Sequence, residues 1–248
     1  DALVPDRVWA ETETALRGTD SRVFFESLRE CGALARVFPE VDALFGVPQP
    51  PEWHPEIDTG VHTMMVLDQA EALSPDLDVR FACLVHDLGK ATTPAERLPS
   101  HPGHELRGVK LIERLASRMP VPRGCRELAR IVAEFHTHCH RAFELRDETV
   151  LKVLERGDAF RRPERFERFL LACEADARGR AGLEDRDYAQ AGHFRAAQAA
   201  ATAVDAAAIA RDLAPERIAD AIRRARVSAI AAVRNADPER AARRARRE

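Results

Sequence analysis

The sequence predicts an all-α protein. Alanine, leucine, arginine and glutamate dominate its 248 residues, and β-branched runs are scarce. That composition favours helix over strand. Apolar residues also recur at three- and four-residue spacing in one segment after another. Glycines, prolines and capping residues divide those segments.

Taken in order, Asp6 to about Arg17 reads as a first short helix, broken by Gly18-Thr19-Asp20-Ser21. Asp20 or Ser21 is expected to cap a second helix through Phe24, Phe25, Leu28 and Cys31, which Gly32 ends. Leu34, Val37 and Phe38 make a short apolar turn before Pro39. The stretch holding Gly46, Pro48, Pro50 and Pro51 cannot be continuous helix, and it reads as the boundary between an N-terminal piece and the main domain. Asp58-Thr59-Gly60 starts the next helix, which carries His62, and Ser74-Pro75-Asp76 closes it. The following helix bears Phe81, Leu84, Val85, His86 and Asp87, and is expected to run to Thr92-Thr93-Pro94. A polar loop then holds His101 to Glu105. Amphipathic helices follow over 105–117 and 126–141, then 148–156 and 163–178. The tail reads as helical from about Ala191 to Ala206, from Ile209 to Leu213, and from Pro215 through Val233.

A hydrophobic content of 45% and a charged content of 32% fit a soluble globular chain. No apolar run approaches the roughly 20 residues of a membrane span, and no secretory signal is evident. The chain opens on Asp1 rather than methionine, so either a fragment of a longer protein or a processed form is expected. The five cysteines are scattered with no Cys-x-x-Cys, which reads as free thiols, mostly buried, in a reducing cytoplasm. The net charge of −3 does not mark a nucleic-acid binder. From Arg223 to the end, however, nine arginines face three acids. Such a run either contacts RNA backbone in a salt-sensitive way or is a solvated, frayed helix end.

The chemistry centres on His86-Asp87-Leu88-Gly89-Lys90. Imidazoles and carboxylates converging from separate elements hold divalent metals. His62, the pair His86 and Asp87, and Asp176 offer such a set from three helices. Asp158 is the rival last ligand, but Asp176 shares the inward stripe of Phe169 and Cys173. Lys90 either lies beside the metal, where it stabilises charge on a phosphate, or is a solvated helix-end lysine. His104 and His136 are candidates for a second metal or for acid–base work at a leaving oxygen. His136 and His140 share a face, His138 is expected to be exposed, and His101 to be incidental. His54 suits a supporting hydrogen bond to a ligand. Arg178 and Arg180 either fork onto RNA phosphate or end a helix in solvent.

His62, then His86-Asp87, then Asp176 resembles the HD phosphohydrolase superfamily. The resemblance sharpens over Phe24 to Leu34, Val37-Phe38-Pro39-Glu40, Trp53-His54-Pro55-Glu56, Gly60-Val61-His62-Thr63 and Glu174 to Arg180. Together these are similar to the C-terminal part of the bacterial CCA-adding tRNA nucleotidyltransferases that carry an HD domain. The resemblance covers nearly the whole chain apart from the last dozen residues. It implies a helical bundle divided into a neck or RNA-binding segment (1–50), a metal-dependent HD domain (51–182) and a helical tail (183–248). It also implies 2′,3′-cyclic phosphodiesterase, 2′-nucleotidase and phosphatase activities on a tRNA 3′ end, with Ni, Mn, Mg or Co as cofactor. The family's nucleotidyltransferase head, with its glycine-rich motif and paired aspartates on a sheet, has no counterpart here. Asp76-Leu77-Asp78 and Asp185-Arg186-Asp187 read instead as a helix cap and a solvated loop, so CCA addition by this chain alone is not expected. An independent HD nucleotidase acting on free nucleotides and a tRNA-clamping module with a vestigial site are the alternatives. A homodimer is left open.

Overall fold

A computed structural model describes residues 3–211 and 213–236. Among these residues regular structure is helical, with one isolated antiparallel bridge between Pro48 and Asp58. In chain order the helices are α1 (Pro5–Arg17), α2 (Ser21–Glu30), α3 (Leu34–Val37), α4 (Pro39–Asp42), α5 (Thr59–Leu73), α6 (Leu77–Val85), α7 (His104–Arg118), α8 (Arg123–His140), α9 (Asp147–Arg156), α10 (Pro163–Arg178), α11 (Ala189–Thr202), α12 (Ala206–Arg211) and α13 (Pro215–Ala236). The basic run beyond Ala236 lies outside the described residues.

The chain forms two compact units. The first holds the described residues up to His136 together with Glu167–Asp187. Its core is built from Leu16, Phe25, Phe38, Met64, Leu67, Phe81 and Phe169, all inaccessible or nearly so. Trp9 meets Phe81 edge-on at 5.6 Å, and Phe25 meets Phe38 at 5.9 Å. Arg80 is buried with them, and its guanidinium donates to the carbonyls of Ser74, Leu16 and Gly18. It thereby ties α1 and the α5–α6 turn to α6 and satisfies helix-end carbonyls that would otherwise be buried unpaired.

The second unit holds Thr137–Phe166 and the described residues from Tyr188 on. In it α11 and α13 pack together and α13 packs on α9. Phe166 and Phe194 sit 6.1 Å apart, Arg226 stacks over Phe160, and Arg234 pairs with Asp147 at 2.8 Å.

The caps show where local reading succeeds. Asp58 caps α5 through Val61 N–H, and its other oxygen accepts from Gly46 N–H. Asp76 caps α6 through Asp78 N–H, as expected of a cap. The cap of α2 differs. Asp20 stands at the N-cap with φ 64° and makes no side-chain cap bond. Glu71 of α5 supplies the acceptors instead, to Asp20 N–H, Ser21 N–H and the Ser21 hydroxyl. The His86 helix does not run to Thr92. α6 ends at Val85, His86 is its C-cap, and a 3-10 turn covers Leu88–Thr92. His104 is not in a loop but opens α7 behind Gly103, whose φ of 73° suits glycine. Cys83, Cys125, Cys139 and Cys173 are buried free thiols, and Cys31 is exposed.

Candidate metal centre

The centre lies wholly within the first unit. Asp87 is its hub, 1% exposed, held at the break between α6 and the 3-10 turn. Its Oδ2 lies 3.1 Å from His86 Nε2 and 3.9 Å from His62 Nε2. Asp176 Oδ1 lies 3.1 Å from His62 Nε2 and 3.7 Å from His86 Nε2. On the other side, Asp87 Oδ1 is 3.5 Å from both His104 Nε2 and His136 Nε2, which are 3.4 Å from each other. Two triads therefore form, His62–His86–Asp176 and Asp87–His104–His136, with Asp87 between them.

Close backbone approaches build this geometry. A Cβ on Gly89 would fall 1.9 Å from His104 O and 2.6 Å from Gly108 N. Only glycine lets α7 pack directly on the 3-10 turn and bring His104 to Asp87. A Cβ on Gly179 would fall 2.5–2.7 Å from Val66 atoms of α5. That contact brings the Gly179 carbonyl within 2.9 Å of His62 Nδ1.

Four of the imidazoles have fixed tautomers. His62 Nδ1–H donates to Gly179 O, His86 Nδ1–H to Cys83 O, His104 Nδ1–H to His101 O and His136 Nδ1–H to Val132 O. Each leaves its Nε2 turned toward Asp87 or Asp176, as metal-ligating histidines do when a carbonyl orients the ring. Glu56, which sequence reasoning did not single out, accepts from His54 Nδ1 at 3.0 Å and lies 3.1 Å from His62 Nδ1. His54 thus supports the ligand His62 through this carboxylate. No periodicity marks Glu56, because it sits in the proline-rich loop.

The charges follow from burial and proximity. Burial pushes the Asp87 carboxyl up, but His86 and Lys90 outweigh it and hold it well below the usual carboxylate range. Burial disfavours the His86 imidazolium, yet Asp87 and Asp176 raise it to about 9. Burial lowers His104 to about 4, and His54 likewise to about 4, so both rings are neutral at pH 7. Burial also pushes Glu56 up, and the hydrogen bonds from His54 and His62 outweigh it and hold the carboxyl well below its ordinary value.

The donor set fits divalent metal. Ligand atoms about 2.1 Å from an ion stand roughly 3–4 Å from one another, which is the spacing found in both triads. His86 Nε2 and Asp87 Oδ1 are buried without a hydrogen bond, although buried polar atoms are otherwise nearly always paired. A bound cation would supply the missing partner.

The remaining expected residues divide. Lys90 is buried rather than solvated, with Nζ 2.6 Å from Asp87 Oδ2 and 2.5 Å from Gln49 Oε1. Arg180 lies at the edge of the centre, Nη2 3.8 Å from Asp176 Oδ1. Arg178 instead pairs with Glu174 and donates to Arg186 O. Asp158 belongs to the second unit, where it pairs with Arg161 and Arg165. His101 is not incidental, since its Nε2–H donates to Pro48 O and its Nδ1 accepts from Thr93. His138 is half-buried rather than exposed. His140, in the second unit, meets the Tyr188 hydroxyl at 2.9 Å.

This fold and this centre define an HD-domain protein, and residues 59–178 match the HD domain. Residues 2–45 match a second family, the probable RNA and SrmB-binding site of polymerase A. The chain is 58% identical to the multifunctional CCA protein of Thioalkalivibrio sulfidiphilus over 93% of its own length and 56% of that protein's. It is 54% identical to that of Alkalilimnicola ehrlichii (96% and 58%) and 56% identical to that of Nitrosococcus oceani (93% and 57%). The chain is thus similar to multifunctional CCA proteins over nearly its whole length, and it spans about half the length of the curated relatives it matches. No solved structure matches it. No described helix is long and apolar enough to cross a membrane.

Proposed function

We propose that the centre is a metal-dependent phosphohydrolase with 2′,3′-cyclic phosphodiesterase, 2′-nucleotidase and phosphatase activity, acting on the 3′ end of tRNA in the cytoplasm. The observation that carries this reading is the pair of triads meeting at the two oxygens of one buried aspartate. His62, His86, Asp87 and Asp176 would hold one divalent ion, and Asp87, His104 and His136 a second. Such ions supply Lewis-acid activation of a phosphoester and of the attacking water.

The chain's own groups do the rest. The carbonyl-anchored imidazoles keep their Nε2 atoms aimed inward. Burial excludes bulk water and strengthens every charge interaction. Lys90 and Arg180 add positive charge where phosphate charge develops. The converging Nε2 atoms of His104 and His136, with both Nδ1–H groups committed to backbone carbonyls, suit a ligand role. The polymerase-type RNA-binding match over residues 2–45 favours an RNA end over a free nucleotide.

The test is hydrolysis of 2′,3′-cyclic nucleotides, 2′-nucleotides and a 3′-phosphorylated tRNA across Mn, Ni, Co and Mg. Asp87→Ala is expected to remove activity by at least about a thousandfold. Equal turnover by that variant overturns the reading, and hydrolysis of free deoxynucleotides alone would transfer the substrate from tRNA to the nucleotide pool.

A further inference from the structure

The loop before α5 holds a buried group that the metal chemistry leaves unused. Gln49 is 1% exposed, although it lies in a proline-rich loop. Its backbone is fixed on both sides. Gln49 N–H donates to Ile57 O at 2.7 Å, and the carbonyl of Pro48 accepts His101 Nε2–H at 3.0 Å. Thr59 N–H and its hydroxyl both donate to Val47 O, which ties the loop to the start of α5.

The carboxamide has a determined orientation. Lys90 Nζ lies 2.5 Å from one of its terminal atoms. An ammonium offers only donors, so that atom must be Oε1. The Nε2 group therefore turns away from Lys90, and it is buried without a hydrogen-bond partner. Arg180 Nε, at the edge of the same centre, is also buried without one. Lys90 itself has three N–H donors, of which Asp87 and Gln49 engage two. Gln49 Nε2 beside Lys90 and Arg180 Nε beside Asp176 are thus donors without acceptors around this centre, and an anion's oxygens would supply the acceptors.

We propose that Gln49 is a substrate-binding residue, whose Nε2–H donates to a phosphoryl oxygen while its Oε1 holds Lys90 beside Asp87. The ligand class is a phosphate mono- or diester, or inorganic phosphate as product. The proposal rests on the phosphohydrolase reading and adds to it the group that orients the phosphate opposite the metal ligands.

The test uses the full chain loaded with Mn2+ and titrates inorganic phosphate by calorimetry. Three variants are compared, Gln49→Met, Gln49→Glu and Lys90→Met, together with the double variant Gln49→Met/Lys90→Met. Methionine keeps the volume and removes both polar atoms. Glutamate keeps an acceptor for Lys90 and removes the donor. Both single Gln49 variants are expected to weaken phosphate binding about tenfold or more, the loss typical of one hydrogen bond to a charged oxygen. KM for a 2′,3′-cyclic nucleotide should rise with it, while Gln49→Glu, which keeps the acceptor for Lys90, leaves Mn2+ affinity and thermal midpoint near wild type. The double variant should bind phosphate more weakly than Lys90→Met alone, because Gln49 contributes a donor of its own. Unchanged phosphate affinity in Gln49→Met, or a double variant no weaker than Lys90→Met, overturns the proposal, as does a wild-type chain that binds no phosphate. The binding measurement needs no turnover. A chain that binds phosphate in a Gln49-dependent way but hydrolyses nothing would therefore sink the enzyme reading and leave this assignment standing.

Discussion

Asp87 can face two clusters because the imidazoles around it are anchored to backbone carbonyls. His62, His86, His104 and His136 each donate Nδ1–H to a main-chain carbonyl. Each ring's direction is thus set by helix placement, and helix placement by glycines where a side chain will not fit. Gly89 is the most constrained of these, since its added Cβ would meet the backbone of His104 and Gly108. Neither backbone atom can move aside as a side-chain tip would. Gly89→Ala is therefore expected to cost at least about 1–3 kcal/mol, the usual range for overpacking. It should also push α7 away from Asp87, uncoupling His104 from its triad while leaving His62, His86 and Asp176 together. Mn2+ binding by calorimetry should then fall from two equivalents to one. Retention of two equivalents at wild-type stability would show that α7 does not depend on this contact.

At the scale of elements, most of the bundle was legible because helices carry their own signals. α10 begins at Pro163 and ends at Arg178 as the apolar stripe and the proline predict. Asp58 and Asp76 cap as their positions suggest. His62, His86, Asp87 and Asp176 were also legible, since each lies on or beside a periodic segment. Gln49 and Glu56 were not, because their roles come from a loop whose path is set by distant partners, Lys90 for one and His54 with His62 for the other.

The α2 cap fails locally for the same reason. Its acceptor comes from Glu71, fifty residues away, and no short-range rule reaches that far. That long-range cap has a measurable consequence. Burial pushes the Glu71 carboxyl up, but the N–H groups of Asp20 and Ser21 outweigh it and lower its pKa below 4.5. A carboxyl depressed in the folded state adds stability that is complete above its unfolded pKa and lost as pH falls through the folded value. Glu71→Gln should cost about 1 kcal/mol at pH 7, a typical cap contribution. The difference from wild type should close as the pH drops below about 4.5, followed by urea unfolding at several pH values. A gap that stays constant into acid would mean that the carboxylate charge plays no part in the cap.

For the whole molecule, the consequence of the centre is a linkage between metal and folding. The ligands come from α5, from the α6–turn junction, from α7, α8 and α10. An unfolded chain cannot hold such dispersed groups around one ion, so an ion that binds here favours the folded state by mass action. At a free concentration a hundred times the dissociation constant, each site adds about 2.7 kcal/mol. For a chain of this size that corresponds to roughly 5–10 °C in thermal midpoint per site. Mn2+ is thus expected to raise the melting temperature and a chelator to reverse it. Asp87→Asn should abolish most of the shift, because both proposed ion sites lose the carboxylate they share, whereas Asp158→Asn should leave it intact. Asp176→Asn should likewise weaken the shift, which sets it apart from Asp158, its rival as last ligand in the sequence. A full metal shift in the Asp87 variant, or its loss in the Asp158 variant, would place the ions elsewhere in the fold.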